Sequence, residues 1–100
     1  MTGTYTIDEI KKISIPIAEK YGVKKLALFG SYARGEQKST SDIDFVIEKG
    51  KLRDWASFCG FTEALEENLG IGIDVMTYDS LEDSFFMEDV IEDEVVLYER

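Results

Sequence analysis

The 100-residue sequence contains no histidine, one cysteine, one proline and one tryptophan. The lack of histidine excludes imidazole as a general base and removes most zinc sites, so any catalysis must depend on carboxylates and a metal ion. A single cysteine excludes an internal disulfide bond. No run of about 18 apolar residues is present, and the N-terminus lacks the apolar stretch of a signal peptide. We therefore expect a cytoplasmic protein without a membrane span.

Positive charge is also scarce. The chain has 21 acidic and 11 basic side chains, and residues 79–100 carry nine acidic residues and one basic residue. An acidic body repels the nucleic-acid backbone, so we expect no direct nucleic-acid binding. The acidic segment 79–94 is either a solvated helix face or a docking surface for a basic partner.

The length predicts a single domain over residues 1–100. Isoleucines at helical spacing predict a first helix over 7–21, with Thr6 as N-cap and Gly22 at its end. Pro16 lies inside this pattern and predicts a kink or a break near residues 14–15, because it lacks a backbone donor.

Further along the chain, strands alternate with helices, which predicts an α/β or α+β domain with a small mixed sheet flanked by helices. The predicted strands are 24–29, 42–48 and 73–78, and the final VVLY is a short strand or a packing segment. The predicted helices are 51–69 and 84–93. The residues expected to point inward from the first of these are Leu52, Trp55, Phe58 or Cys59, Leu65 and Leu69.

Two carboxylates open the second predicted strand, in the run DIDFVIE. Because alternate side chains of a strand share a face, Asp42 and Asp44 point the same way while Ile43 points into the core. The alternative is that both carboxylates lie on the solvated face of a half-buried strand and have no functional role. The apolar second half of the strand predicts a central strand instead, and adjacent carboxylates that repel one another there favour a Mg²⁺ site.

A glycine–serine turn follows the first predicted strand. Gly30 lets backbone amides approach a phosphate closely, and Ser31 adds a hydroxyl at the start of a short helical turn. Arg34 and Lys38 flank the loop that follows, and Arg34 is the better candidate for neutralising phosphate charge. Taken alone, most turns of this kind are simply turns.

The third predicted strand carries Asp74 in the run IGIDVMTY. If it lies beside the second strand, three carboxylates meet, and two divalent ions bound there would clamp an in-line displacement at phosphorus. Asp74 would then assist deprotonation of the attacking hydroxyl. Its alternative role is an ordinary carboxylate at a strand edge.

Together these residues resemble the nucleotidyltransferase signature of the DNA polymerase β superfamily. Gly30 and Ser31 are followed, after ten residues, by Asp42-Ile43-Asp44, with Asp74 on a later strand. The stretch FGSYARGEQKSTSDIDFVIE is similar to that of minimal nucleotidyltransferases, called MNT domains. The similarity extends from about residue 5 to the final VVLYER.

The resemblance implies Mg²⁺-dependent transfer of a nucleoside monophosphate, AMP from ATP, to a hydroxyl. Gly30 and Ser31, with Arg34, would bind the triphosphate. The catalytic Asp42, Asp44 and Asp74 would hold Mg²⁺, as two ions. Minimal nucleotidyltransferases commonly pair with a HEPN toxin, modify one of its tyrosines and act as its antitoxin.

Two other functions remain open from the sequence. One is nucleotidyl transfer to a small molecule, as in aminoglycoside-modifying enzymes. The other is an antitoxin that neutralises its partner by contact alone, without turnover. A homo- or hetero-oligomer is compatible with each, since so short a chain has little room for an acceptor site of its own.

Overall fold

Helices and strands alternate along the chain in the computed structural model, which describes residues 4–38, 41–81 and 92–100. No helix within these ranges is long and apolar enough to cross a bilayer. In chain order the elements are α1 (Ile7–Tyr21), β1 (Lys25–Phe29), α2 (Gly30–Arg34), β2 (Ile43–Glu48), α3 (Trp55–Leu69), β3 (Ile73–Thr77), α4 (Tyr78–Leu81) and β4 (Val95–Glu99).

The strands form one mixed sheet in the order β3-β2-β1-β4. β1 pairs antiparallel with β2 and with β4, whereas β2 and β3 are parallel. Parallel neighbours need a long crossover, which α3 supplies between β2 and β3. The predicted small mixed sheet with flanking helices is confirmed.

The alternation of side chains along β2 divides the sheet into two faces. Ile43, Phe45 and Ile47 are buried in the main core, which also contains side chains of α1 and α3. Val46 points to the opposite face, where it is fully buried beside Ala27 of β1. β2 is therefore a central strand covered on both sides, as its apolar second half predicts.

Helix α1 begins and ends where the sequence predicts. Thr6 and Glu9 form a reciprocal capping box, and Gly22 adopts the left-handed conformation at the C-terminus. Of the kink or break predicted near Pro16, the break is wrong, because the helix is continuous through this residue. Pro16 removes only one backbone donor, and a buried stripe at spacing four (Ile10, Ser14 and Ala18) keeps both halves on the same core.

Helix α3 begins four residues later than predicted. The Asp54 carboxylate accepts a hydrogen bond from the backbone N–H of Ser57 at 2.7 Å, so the helix starts at Trp55. Leu65 and Leu69 are buried as predicted, and Phe61, which was not predicted, fills the core beside them.

The inward orientation predicted for Trp55 is wrong: its side chain is 77% exposed. Leu52 is buried, although it precedes the helix. Of the two alternatives for the final VVLY, the structure has the strand, β4, while most of the predicted helix 84–93 lies outside the described residues.

A polar cluster connects β1 to the segment that precedes β4. The Lys25 Nζ lies 3.0 Å from the Glu94 carboxylate, and the Tyr78 hydroxyl donates to the other carboxylate oxygen at 2.7 Å. The Lys25 ammonium also lies 4.8 Å from the centre of the Tyr78 ring. Burial, followed by the Glu94 hydrogen bond, raises the pKa of Tyr78, so this hydroxyl stays protonated as a donor.

Candidate active site

Two of the predicted carboxylates lie directly opposite each other in the sheet. In the parallel pairing of β2 with β3, Asp44 is in register with Asp74. The preceding residue, Ile43, is buried in the helix-side core, so alternation directs Asp44 to the other face. The condition that the sequence left open, that Asp74 lies beside the second strand, is therefore met.

The glycine–serine turn reaches the same place from the other side of β2. Phe29, the last residue of β1, is paired with Asp44, and Gly30 follows at once. Gly30 has a φ of 74°, and a Cβ built on it would collide with Asp44 Oδ2. Glycine is therefore required at position 30 by its backbone conformation and by the carboxylate that occupies the space of a side chain.

Asp42 precedes β2, and its side chain lies against a second glycine, Gly72, whose role was not predicted from the sequence. A Cβ on Gly72 would collide with Asp42 Oδ1, and the Ile43 N–H donates to the Gly72 carbonyl at 3.0 Å. The visible signal was a glycine two residues before Asp74, at the start of a strand. Its contact with Asp42 follows only from the parallel pairing of β2 with β3.

Asp44 is the electrostatic centre of the site. Its partial burial raises the pKa of its carboxyl group, and the negative charges of Asp74 and Asp42 raise it further. The positive charge of Arg34 acts in the opposite direction and lowers it. The structure thus brings three of the predicted site residues within electrostatic reach of Asp44, a group that favours a neighbouring cation.

Arg34, the last residue of α2, is engaged by two acidic side chains. Its Nη1 donates to Asp93 Oδ2 at 2.9 Å, and its Nε donates to Glu36 Oε2 at 3.3 Å. Both hydrogen bonds raise the pKa of Arg34, so its charge is constant. The sequence reasoning missed Asp93 because it lies 59 residues away along the chain. Lys38 is exposed and is not among the charges that shift the pKa of Asp44.

The three aspartates offer only oxygen donors, the ligand type that Mg²⁺ prefers. Within residues 4–38, 41–81 and 92–100, no three acidic or cysteine side chains are arranged as ligands of one ion. Asp42 faces Gly72, and Asp74 is exposed in register with Asp44. The donor type and the crowded negative charge fit a divalent cation, while the three-carboxylate ligand set stays a prediction.

Comparison with known proteins places the chain in a family. The family model described as "Polymerase beta, Nucleotidyltransferase" matches residues 11–100. A protein of Methanocaldococcus jannaschii, provisionally named a protein adenylyltransferase, is 49% identical over 75 residues, which cover 75% of this chain and 81% of the relative. The site residues described above lie inside the matched family region.

Two solved structures have the same fold. A toxin–antitoxin crystal structure with AMP-PNP matches with a TM-score of 0.75 at 21% identity, over 90% of this chain and 73% of the other. The tri-AMPylated Shewanella oneidensis HEPN toxin in complex with its MNT antitoxin matches with a TM-score of 0.70 at 16% identity, over 95% and 74%. The predicted nucleotidyltransferase fold is confirmed, and the chain belongs to the polymerase β nucleotidyltransferase family.

Proposed function

We propose that this chain is a Mg²⁺-dependent adenylyltransferase that moves AMP from ATP to a tyrosine hydroxyl of a HEPN-type toxin and so acts as its antitoxin. The observation that carries the proposal is the position of Asp44, which lies between Asp74 on the neighbouring strand and Gly30 on the turn after β1. A turn without side-chain bulk would admit a phosphate group, and the crowded carboxylates beside it would hold the cations that neutralise its charge.

The triphosphate would lie along the turn at the start of α2. Gly30 has no side chain to obstruct it, and the Ser31 hydroxyl and backbone amides are donors for phosphate oxygens. Arg34, one turn of helix further on, would add positive charge once a phosphate competes for its guanidinium with Asp93.

Asp42, Asp44 and Asp74 would hold Mg²⁺, as two ions. When bound, Mg²⁺ supplies charge neutralisation for the triphosphate and lowers the pKa of the acceptor hydroxyl. The raised pKa of Asp44 supports this assignment, because the repulsion from Asp42 and Asp74 that contributes to it is relieved by a bound cation.

The transfer itself is an in-line displacement at the α-phosphorus. The acceptor oxygen forms a bond to this phosphorus while the bond to the bridging β-phosphate oxygen breaks, and pyrophosphate leaves with the electron pair. The hydroxyl proton passes to the Asp74 carboxylate, which is exposed and can be reached by an acceptor from outside. Asp44, which is in register with Asp74, would remain next to the phosphate bound at the Gly30 turn.

The choice of acceptor is supported by the comparisons. The Methanocaldococcus jannaschii relative has a protein-adenylyltransferase name, and one structural neighbour is a complex with an AMPylated HEPN toxin. A cytoplasmic location is part of the proposal.

The experiment is to incubate the chain with ATP, Mg²⁺ and the product of the neighbouring gene, tested as the HEPN-type partner, and to measure the intact mass of that product. We expect a gain of one or more AMP groups, lost with Asp42→Asn and Asp44→Asn and kept with Glu63→Gln, an exposed carboxylate on α3. Absence of any gain with the unaltered chain would contradict the proposal. Full neutralisation of the toxin by Asp44→Asn would favour inhibition by contact alone.

A further inference from the structure

A groove of about 350 Å³ lies beyond the carboxylates, between β3 and the start of α3. We call it the Trp55 groove. Trp55, Phe58 and Met76 form much of its apolar lining, Lys49 and Arg53 lie at it, and Thr77 bounds it on β3. None of these residues belongs to the candidate active site.

The apolar lining includes an aromatic side chain that the fold leaves in solvent. Trp55 is 77% exposed, and its ring stacks on Phe58 with centroids 5.8 Å apart and an interplanar angle of 20°. In the described part of the chain, Val96 is the other large apolar residue with high exposure, at 43%. Tryptophan, methionine and arginine together are the residue types enriched where proteins bind other proteins.

The groove is also the place where positive charge concentrates. Residues 49–53, KGKLR, contain three cations and no acidic residue, in a chain of net charge −10. Among the described residues, no ion pair includes Lys49 or Arg53. The Asp54 carboxylate also lines the groove, and it accepts a hydrogen bond from the Ser57 backbone N–H. The described lining therefore has two cations and one carboxylate, and an occupant that brings a further carboxylate would meet net positive charge.

The groove is close enough to the carboxylates to position an acceptor. Met76, which lines the groove, follows Asp74 by two residues on β3, so the two side chains share a face of the sheet about 7 Å apart along the strand. A protein bound in the groove would therefore have surface beside the exposed Asp74 carboxylate, while the phosphate turn at Gly30 stays free.

We propose that the Trp55 groove is the docking site of the protein that receives the nucleotide. That protein inserts an apolar side chain against Trp55 and Phe58 and places an adjacent carboxylate between Lys49 and Arg53. The inference rests on the proposed function for the identity of the partner, but docking itself requires no chemistry. It can therefore be tested in a chain that does not transfer.

Trp55 is the only tryptophan of the chain, so it reports on its own groove. The chain with Asp44→Asn is labelled with 5-fluorotryptophan and titrated with the unlabelled product of the neighbouring gene, tested as the HEPN-type partner. We expect its single fluorine resonance to shift as the complex forms. A complex that forms without moving this resonance, or the absence of any complex, overturns the inference.

Two variants with matched controls measure how much the Trp55 side chain and the Arg53 charge contribute to binding of the partner. Trp55→Ala should weaken binding about tenfold or more, whereas Val96→Ala, an exposed apolar residue on β4, should leave it unchanged. Arg53→Glu should weaken binding clearly more than Lys12→Glu, which reverses an exposed charge on α1. Because these residues lie outside the phosphate turn, the Kd for ATP should stay constant in all four.

The outcomes separate the two proposals. Wild-type affinity in both Trp55→Ala and Arg53→Glu overturns the docking site, whatever the chemistry. A shifted resonance and weakened variants, together with no mass gain from the unmodified chain, support the docking site and contradict adenylyl transfer.

Discussion

Replacing Asp44 by asparagine is expected to stabilise the fold at neutral pH while it abolishes nucleotidyl transfer. Partial burial is the first cause of the raised pKa of Asp44, and the charges of Asp74 and Asp42 add to it. All three disfavour the ionised carboxylate. Asparagine has nearly the same shape beside Gly30 and carries no charge, so it removes the repulsion without creating a cavity.

The size of the effect is limited by solvent. Asp44 is only partly buried, and water screens its repulsion from the exposed Asp42 and Asp74. Single stabilising substitutions commonly add about 0.5–2 kcal/mol to the free energy of unfolding, and solvent screening places Asp44→Asn in the lower part of this range, at about 0.5–1 kcal/mol. For a domain of this length, that corresponds to a rise in Tm of about 2–8 °C.

The pH dependence gives the sign of the effect. The unfolded carboxyl has the ordinary pKa of 3.8, and the folded one is higher. Below pH 3.8 both states bind the proton, so the wild type and Asp44→Asn should have nearly the same stability. As the pH rises through the folded pKa, the wild type loses stability, and the advantage of the variant grows to its full value by pH 7.

Mg²⁺ should reverse the order of stability, so that the wild type becomes more stable than Asp44→Asn. An ion that binds only the folded state at ten times its Kd stabilises by about 1.4 kcal/mol, and Asp44→Asn should lose most of this gain. Thermal unfolding is followed by circular dichroism at pH 4 and pH 7, with and without Mg²⁺, to measure the effect of the Asp44 charge and the effect of Mg²⁺ on stability. Glu63→Gln is the control. A variant less stable than the wild type at pH 7, or equal Mg²⁺ stabilisation of both, would refute the reasoning.

Three further predictions concern the turn, the arginine and the polar cluster. Gly30→Ala should abolish transfer and lower the free energy of unfolding, measured by chemical denaturation, by more than about 1 kcal/mol, because its Cβ collides with Asp44 in addition to straining the backbone. Gly35→Ala is the control, since Gly35 has the same φ of 74° but nothing within 4 Å, and it should keep transfer. Asp93→Asn should release Arg34 for phosphate and lower the KM for ATP severalfold in steady-state assays, and a raised KM would mean that Asp93 positions the guanidinium instead. Tyr78→Phe should lower the free energy of unfolding in urea by about 1 kcal/mol through loss of its hydrogen bond, and an unchanged midpoint would contradict this.

The parts of the site that follow from short-range patterns were predictable from the sequence. The period of two along a strand predicts that Ile43 is buried and that Asp44 faces away from it. The apolar flanks of Asp74 indicate a neighbouring strand. The requirement for Gly30 was also predicted, although the structure adds the Asp44 carboxylate as a second reason for it.

Contacts between distant segments were not predictable. The hydrogen bond from Arg34 to Asp93 and the contact of Gly72 with Asp42 depend on strand order and register, which a local pattern does not contain. The exposure of Trp55 was missed for a related reason. Helical spacing shows which residues share a face, but it does not show where a helix begins relative to the sheet, although Asp54 was a visible N-cap.

The most direct test of the account is to follow the fate of each phosphorus of ATP. The chain, Mg²⁺ and the HEPN-type protein are incubated with ATP labelled at either the α- or the γ-phosphorus, and the protein-bound label is measured. The account predicts that the α-label becomes bound to the HEPN-type protein and that the γ-label leaves as pyrophosphate. With Asp44→Asn, neither label should become bound to the HEPN-type protein. Protein-bound γ-label, or α-label transfer that persists in Asp44→Asn, would contradict it.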